Sequence, residues 1–147
     1  MPKIMKKMNI ISRCQAMYRN ERAASEELSA CHSAFVLTVC RAPGLSQEEL
    51  AREICLNKST VTRTLSYLEE HGFVERRSDA QDKRVLLVYP TEKMLSVLPR
   101  VREVTREWNA LISRGIDEEE MRVFLSVLLR MERSAKAAVS AGEEQKK

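Results

Sequence analysis

Between Leu45 and Arg84 the chain carries the signals for a helix, a tight turn, a second helix and a basic hairpin, in that order. Few folds accommodate all four in so short a stretch. Ser46 and Glu49 have the spacing of a capping box, in which each side chain satisfies a backbone N–H left free at a helix start. Leu50, Ala51 and Ile54 follow at near-helical spacing, while Gln47, Glu48, Arg52 and Glu53 are left to face water. Asn57 offers the N-cap of the next helix, and Val61, Leu65 and Leu68 give it an apolar side at i, i+4, i+7. Gly72 stands where a left-handed residue ends such a helix. Phe73 to Glu75 and Val85 to Tyr89 then read as two strands flanking a polar, Asp-containing turn.

The face of the second helix opposite Val61, Leu65 and Leu68 carries Ser59, Thr60, Thr62, Arg63 and Ser66. Short hydroxyls and a reaching guanidinium suit a helix that lies in the major groove of DNA, where Ser and Thr donate to phosphates or base edges and Arg reaches guanine. The hairpin adds Arg76, Arg77, Lys83 and Arg84 against Asp79 and Asp82, so its tip is locally positive. Such a tip lies along a phosphate backbone or inserts an arginine into a minor groove. Asp82, two residues before Arg84, is placed to hold that guanidinium. The order of elements is that of a winged helix-turn-helix. The candidate DNA-contacting residues are Asn57, Lys58, Ser59, Thr60, Thr62, Arg63, Ser66, Arg76, Arg77, Asp82, Lys83 and Arg84.

At 147 residues the chain is expected to form one domain, with 44% hydrophobic and 31% charged residues, as in a soluble globular protein. The net charge of +4 conceals a basic N-terminal segment, with six Lys or Arg and one Glu between Met1 and Arg22. No apolar run approaches the roughly 20 residues that span a bilayer, and the N-terminal lysines precede no signal-peptide core. The expected location is cytoplasmic, with no membrane partner. The charged tail 142–147 is expected to fray.

The remaining sequence is helical. Met8, Ile11, Met17 and Tyr18, with Ile4 and Ile10 nearby, form an apolar stripe in the N-terminal segment. A helix over about 91–114 carries Leu95, Leu98, Val101, Val104, Trp108 and Leu111. After Gly115, Asp117 and Glu120 form another capping box, and Val123, Phe124, Val127, Leu128 and Met131 line one face of a last helix. So much apolar helix around a small winged domain points to association between chains. The alternative is a monomer that folds these helices back on itself.

These residues resemble the MarR family of bacterial transcription regulators. The resemblance lies in Leu45 to Ala51 (LSQEELA), Asn57 to Arg63 (NKSTVTR), Leu68 to Arg77 (LEEHGFVERR), Asp82 to Arg84 (DKR) and Thr91 to Lys93 (TEK). Pro90 and Met94 depart from the family's usual leucine and glycine around the last of these. The resemblance implies a mainly α fold with a small β-wing. Its winged DNA-binding lobe would span about 31–93, and its helical dimerisation lobe about 4–28 and 94–140. It further implies a homodimer whose recognition helices around Ser59 to Arg63 enter successive major grooves of a near-palindromic operator, with Arg84 in a flanking minor groove braced by Asp82. Repression relieved by a small aromatic effector is the usual mode, and Tyr18, His32, Phe35 and Trp108 are candidates to line the effector cleft by chemistry and approximate placement.

Some relatives sense oxidants through an N-terminal cysteine near tyrosines, and Cys14 stands one helical turn before Tyr18. The default for Cys14, Cys31, Cys40 and Cys55 is packing as small buried hydrophobes. No C-x-x-C pair occurs, and with only His32 and His71 no metal site or cofactor is expected. Phosphate loops and nucleophile elbows are missing as well, so an enzyme is not expected. The rival from another class is a winged-helix module that binds protein. Such a surface shows aromatic or aliphatic anchors, whereas Ser59, Thr60, Thr62 and Arg63 are polar. RNA is disfavoured because stacking aromatics are lacking on the same face.

Overall fold

The computed structural model describes residues 3–144, with side chains to residue 140. Two compact units divide between Trp108 and Asn109. The first holds α1 (Ile4–Glu21), a 3-10 turn (Ala30–His32), α2 (Ser33–Arg41), β1 (Leu45–Ser46), α3 (Gln47–Ile54), α4 (Lys58–Glu70), β2 (Val74–Ser78), β3 (Leu86–Pro90) and most of α5 (Glu92–Ile112). The second holds the end of α5 and α6 (Glu118–Glu144).

The helices of the central region begin and end where their side chains supply the missing backbone partners. Ser46 Oγ accepts from the Glu49 N–H at 3.1 Å, and Glu49 Oε2 accepts from the Ser46 N–H at 2.8 Å. Asn57 Oδ1 accepts from the Thr60 N–H at 2.8 Å and so caps α4. At the far end Gly72 takes φ +75°. Its N–H donates to Glu69 O, and the Phe73 N–H donates to Leu68 O at 2.8 Å, so that the last carbonyls are satisfied.

The sheet is antiparallel in the order β1-β3-β2. Val74 lies opposite Pro90 and Ser78 opposite Leu86, while Leu45 pairs with Val88 on the other side. The two-residue β1 is not anticipated by the sequence, because two residues carry no periodicity. Gly44, just before it, adopts φ +88° and donates to Val88 O at 2.8 Å. A Cβ there would come within 3.2 Å of the Tyr89 hydroxyl, so glycine lets this strand close onto β3.

One hydrophobic core joins these elements. Phe35, Val36 and Val39 of α2 meet Leu50 of α3, Val61, Leu65 and Leu68 of α4, Phe73, Val74 and Val88 at the sheet, and Met94 and Leu98 of α5, all buried. Each such side chain contributes about 1.5–3 kcal/mol of transfer free energy. Pro99 lies inside α5 and has no N–H to donate to the preceding turn, yet the helix continues through it. Leu98, Val101, Val104 and Trp108 are buried, whereas Leu95 and Leu111, expected on the same stripe, are exposed.

The second unit reproduces its expected cap. Glu120 N–H donates to Asp117 Oδ1 at 2.8 Å, and Asp117 N–H donates to Glu120 Oε2. No side chain described on α6 is buried, and Val123, Phe124, Leu125, Val127 and Leu129 are exposed. Of the tail at 142–147, the helical backbone continues to Glu144 and residues 145–147 lie outside those described.

The cysteines depart from the expected burial. Cys14, Cys31 and Cys55 are exposed, Cys40 is half-buried, and all four are free thiols. The apolar stripe on the same helix as Cys14 is itself uncovered, and no residue of α1 is buried. Cys55 ends α3 in the left-handed region at φ 57°, a conformation costly for a non-glycine residue. No helix among the described residues is long and apolar enough to cross a membrane.

Candidate nucleic-acid interface

The starts of α3 and α4 and the hairpin segment from Arg84 to Leu86 line one open cleft. Ser46, Gln47, Glu48, Lys58 and Thr62 line it on one side, and Arg84, Val85 and Leu86 on the other. Buried Val61, Leu65 and Leu68 fix which face of α4 turns inward, and the same helical period leaves Lys58, Ser59, Thr62 and Arg63 exposed. Among the described residues Arg63 and Lys83 have no hydrogen-bond or ion-pair partner, so their donors are available to a polyanion.

Other candidate DNA-contacting residues already have structural duties. Asn57 caps α4 and accepts from Ser59 Oγ at 2.8 Å. Lys58 pairs with Glu48 at 3.2 Å, which places an acidic residue beside the cleft that the sequence reading had assigned only to a solvated face. Arg77 is held by Glu75 at 2.8 Å and lies over the Tyr89 ring at 4.5 Å.

At the hairpin tip, Asp79 N–H donates to Val85 O and Val85 N–H to Asp82 O, closing the turn. Asp82 Oδ1 accepts from the Arg84 backbone N–H and from its Nε, and Oδ2 accepts from an Arg84 terminal nitrogen at 3.2 Å. The guanidinium holds the Asp82 carboxyl below the usual carboxylate range. Arg84 itself remains 91% exposed. A carboxylate that grips one edge of an arginine and leaves the rest in water presents it in a fixed orientation.

Arg76 behaves differently. Its side chain is only 16% exposed, and it donates to Glu69, Ser66 and Gln47. Ser66 is thereby turned to a partner inside the protein. Neither arrangement is visible in the sequence, where Arg76 and Arg77 look alike.

Of the four residues chosen for an effector cleft, the structure brings together fewer than the sequence grouped. Phe35 is a fully buried core residue. Trp108 is buried against Tyr18, their rings 5.4 Å apart, and the Tyr18 hydroxyl donates to Glu107 rather than to Cys14. His32 lines a small cleft with Arg19, Arg22, Ser29, Val101 and Val104. In that cleft Arg19 Nε is buried without a hydrogen-bond partner, a signal absent from the sequence, and burial lowers the basicity of this arginine. Burial, with His71 nearby, also lowers the basicity of His32, whose Nδ1 accepts from the Ser29 N–H at 3.0 Å. Rings of His32, Tyr67 and His71 stack in series, at 5.0 Å and 4.0 Å. No group of three or more potential metal-ligating His, Cys, Asp or Glu side chains occurs among the described residues.

Known proteins share both the sequence pattern and the architecture. Residues 35–86 match the sequence profile of the MarR family. The chain is 25% identical over 131 residues to the HTH-type transcriptional regulator YybA of Bacillus subtilis (strain 168), covering 89% of this chain and 87% of that protein. A crystal structure of the transcriptional regulator SlyA superposes with a TM-score of 0.88 at 27% identity, over 92% of this chain and 96% of that one. A MarR family regulator from Listeria monocytogenes, crystallised with a 26mer DNA, has the same fold, with a TM-score of 0.88 at 21% identity over 94% and 92% of the two chains.

Proposed function

We propose that the chain is a transcriptional regulator of the MarR type rather than an enzyme, and that it reads a near-palindromic DNA operator as a homodimer. The observation that carries this reading is the cleft shared by α4 and the hairpin. Partner-free Arg63 stands on the exposed face of α4, whose Lys58 and Thr62 line one wall, and Arg84, held by Asp82, lines the other. Ser59, Thr60, Thr62 and Arg63 meet base edges and phosphates in the major groove, Arg84 enters the neighbouring minor groove, and Lys58, Arg77 and Lys83 neutralise phosphates. Asn57 and Asp82 hold these groups in place. A protein-binding module is disfavoured because the exposed side chains of α4 that flank the cleft, Lys58, Ser59, Thr62 and Arg63, are polar.

Dimerisation is supported by the uncovered apolar residues. On α1 these are Ile4, Met5, Met8, Ile10, Ile11 and Met17, and on α6 the run from Val123 to Leu129. Faces of this kind are covered in water by another copy of the chain, and a twofold dimer sets the spacing of two half-sites.

Regulation by a small aromatic anion is the finer part of the proposal. The cleft around Arg19 and His32 supplies an unpartnered guanidinium nitrogen at an apolar wall of Val101 and Val104. Its enclosed space of about 20 Å³ holds no more than a water, so an aromatic carboxylate enters only when the cleft opens. Release of repression by such opening is the proposed control. The competing control is oxidation of exposed Cys14, which no tyrosine hydroxyl contacts among the described residues.

Fluorescence anisotropy on duplex DNA from the protein's own upstream region, against a scrambled duplex across a salt series, tests the DNA reading. Preference for the upstream duplex that persists as salt rises is the expected outcome. Equal affinity for both duplexes would remove the sequence-reading role.

A further inference from the structure

Arg76 stands in the basic hairpin, where a DNA-binding chain is expected to spend its arginines on phosphates, yet its guanidinium is turned into the protein. Nε and one terminal nitrogen donate to Glu69 Oε2, at 3.0 and 2.6 Å. The same terminal nitrogen reaches Ser66 Oγ at 3.2 Å, and the other reaches Gln47 Oε1 at 3.1 Å. The second Glu69 oxygen accepts from the Arg76 backbone N–H at 3.0 Å. The Glu69 carboxyl is held below the usual carboxylate range, first by the Arg76 side chain.

These bonds join three separate elements. Arg76 belongs to strand β2 of the hairpin, Ser66 and Glu69 to helix α4, and Gln47 to the first turn of α3. Each is a wall or a support of the proposed DNA cleft, and Gln47 lines that cleft. A guanidinium has five N–H donors in a rigid planar fork, so bonds in three directions fix angles as well as distances. Lysine, with one flexible ammonium, cannot span the same three acceptors in a plane.

We propose that Arg76 is the positioning residue of the DNA-binding surface. It sets the offset between the hairpin and helix α4, and so decides whether the minor-groove arginine and the major-groove side chains fit one operator together. This inference rests on the DNA-reading role above and assigns Arg76 to fit rather than to contact. A direct phosphate contact would need the phosphate to displace Glu69, a charged partner already at hydrogen-bond distance and itself shielded from full hydration.

The sign of one substitution separates the two roles. Glu69→Gln removes a negative charge and releases Arg76. If Arg76 is a phosphate contact held in reserve, this change tightens binding to every duplex. If Arg76 positions the hairpin, binding to the preferred duplex weakens about tenfold while binding to a scrambled duplex stays the same or tightens slightly.

The experiment is anisotropy of wild type, Glu69→Gln, Arg76→Gln, Arg76→Lys and the double variant Glu69→Gln/Arg76→Gln, on preferred and scrambled duplexes across a salt series. Circular dichroism and thermal melts establish that each is folded, and Ser66→Ala, which removes a single bond, provides a mild variant. For Arg76→Gln we expect the salt slope to match wild type, since a lost phosphate contact would lower it by about 0.9. The double variant should be no worse than either single one, and Arg76→Lys should not restore affinity. Hydroxyl-radical footprinting should lose minor-groove protection at the flanks, while methylation protection of major-groove guanines persists.

Tighter binding of the preferred duplex by Glu69→Gln, or a reduced salt slope in Arg76→Gln, would overturn the positioning role. A wild-type protein with no preference between duplexes would instead overturn the DNA reading beneath it. Arg63→Ala and Arg84→Ala, run in parallel, mark the loss expected of true contacts.

Discussion

Helices α4 and α6 are equally well specified at their starts, each with a side-chain cap in hydrogen-bond geometry, and they end in opposite circumstances. On α4 the apolar side is wholly buried, with Val61, Leu65 and Leu68 at 1% exposure or less. On α6 Val123, Phe124 and Leu129 are each more than half exposed. Caps and periodicity therefore determine where a helix forms, and burial determines what it is for. A helix that is locally complete yet leaves its apolar face exposed is what the proposed dimer would cover.

The largest effect that tests this contrast comes from the same substitution in the two helices. Leu65→Ala should cost about 2–5 kcal/mol of stability in urea unfolding at any protein concentration. Leu125→Ala, half exposed in a single chain, should cost less than about 0.5 kcal/mol in dilute protein. Its cost should rise with concentration if a second copy covers α6. A concentration-independent loss at Leu125 would mean that α6 is stabilised within one chain, and the contrast would fail.

Next in size are the exposed arginines of the proposed DNA face. Arg63→Ala and Arg84→Ala should each weaken operator binding by about 1–3 kcal/mol without changing the melting temperature or the sedimentation of the protein. Wild-type affinity in either variant would remove that residue from the interface. Asn57→Ala should destabilise the fold by about 1 kcal/mol, since it removes an N-cap. A larger loss of DNA affinity than of stability would add direct contact to its structural role.

The smallest effect is a pH dependence at His32. Its folded-state basicity lies below the ordinary value near 6.5 because burial disfavours the charged ring, with His71 adding repulsion. The unfolded chain therefore binds more protons in that range. The stability contributed by neutral His32 is complete above the ordinary value and is lost as pH falls through the lowered one. His32→Asn should flatten the slope of stability between pH 7.5 and 5.5, measured by urea unfolding; an unchanged slope would remove His32 as its source.

The central elements were legible in the sequence because they are announced by short-range chemistry. Ser46 with Glu49, Asn57 and Gly72 act on backbone groups within a few residues, and the stripe of Val61, Leu65 and Leu68 needs only helical spacing. What the sequence could not show depended on distant residues. β1 is too short for a pattern and exists because Gly44 allows a close approach to Tyr89. Arg76 and Arg77 are neighbours of the same type, and only the fold brings Glu69, Ser66 and Gln47 around the first. The exposure of Cys14 was hidden because an apolar stripe reads the same whether its cover is in the chain or in a second copy. Grouping Phe35 with His32 by chemistry likewise failed to anticipate that one would be in the core and the other at a cleft.

The Asp82–Arg84 pair also bears on how fast a target can be found. A free arginine side chain gives up about 2 kcal/mol of rotamer freedom when it is immobilised. Arg84, gripped along one edge while fully hydrated elsewhere, has surrendered part of that freedom before any DNA arrives. The adjacent carboxylate also weakens its attraction to phosphates in general. In the proposed role this makes it a poor anchor on random DNA and a ready key for a groove of matching width, so the protein would slide past most sequence and stop where the shape is right.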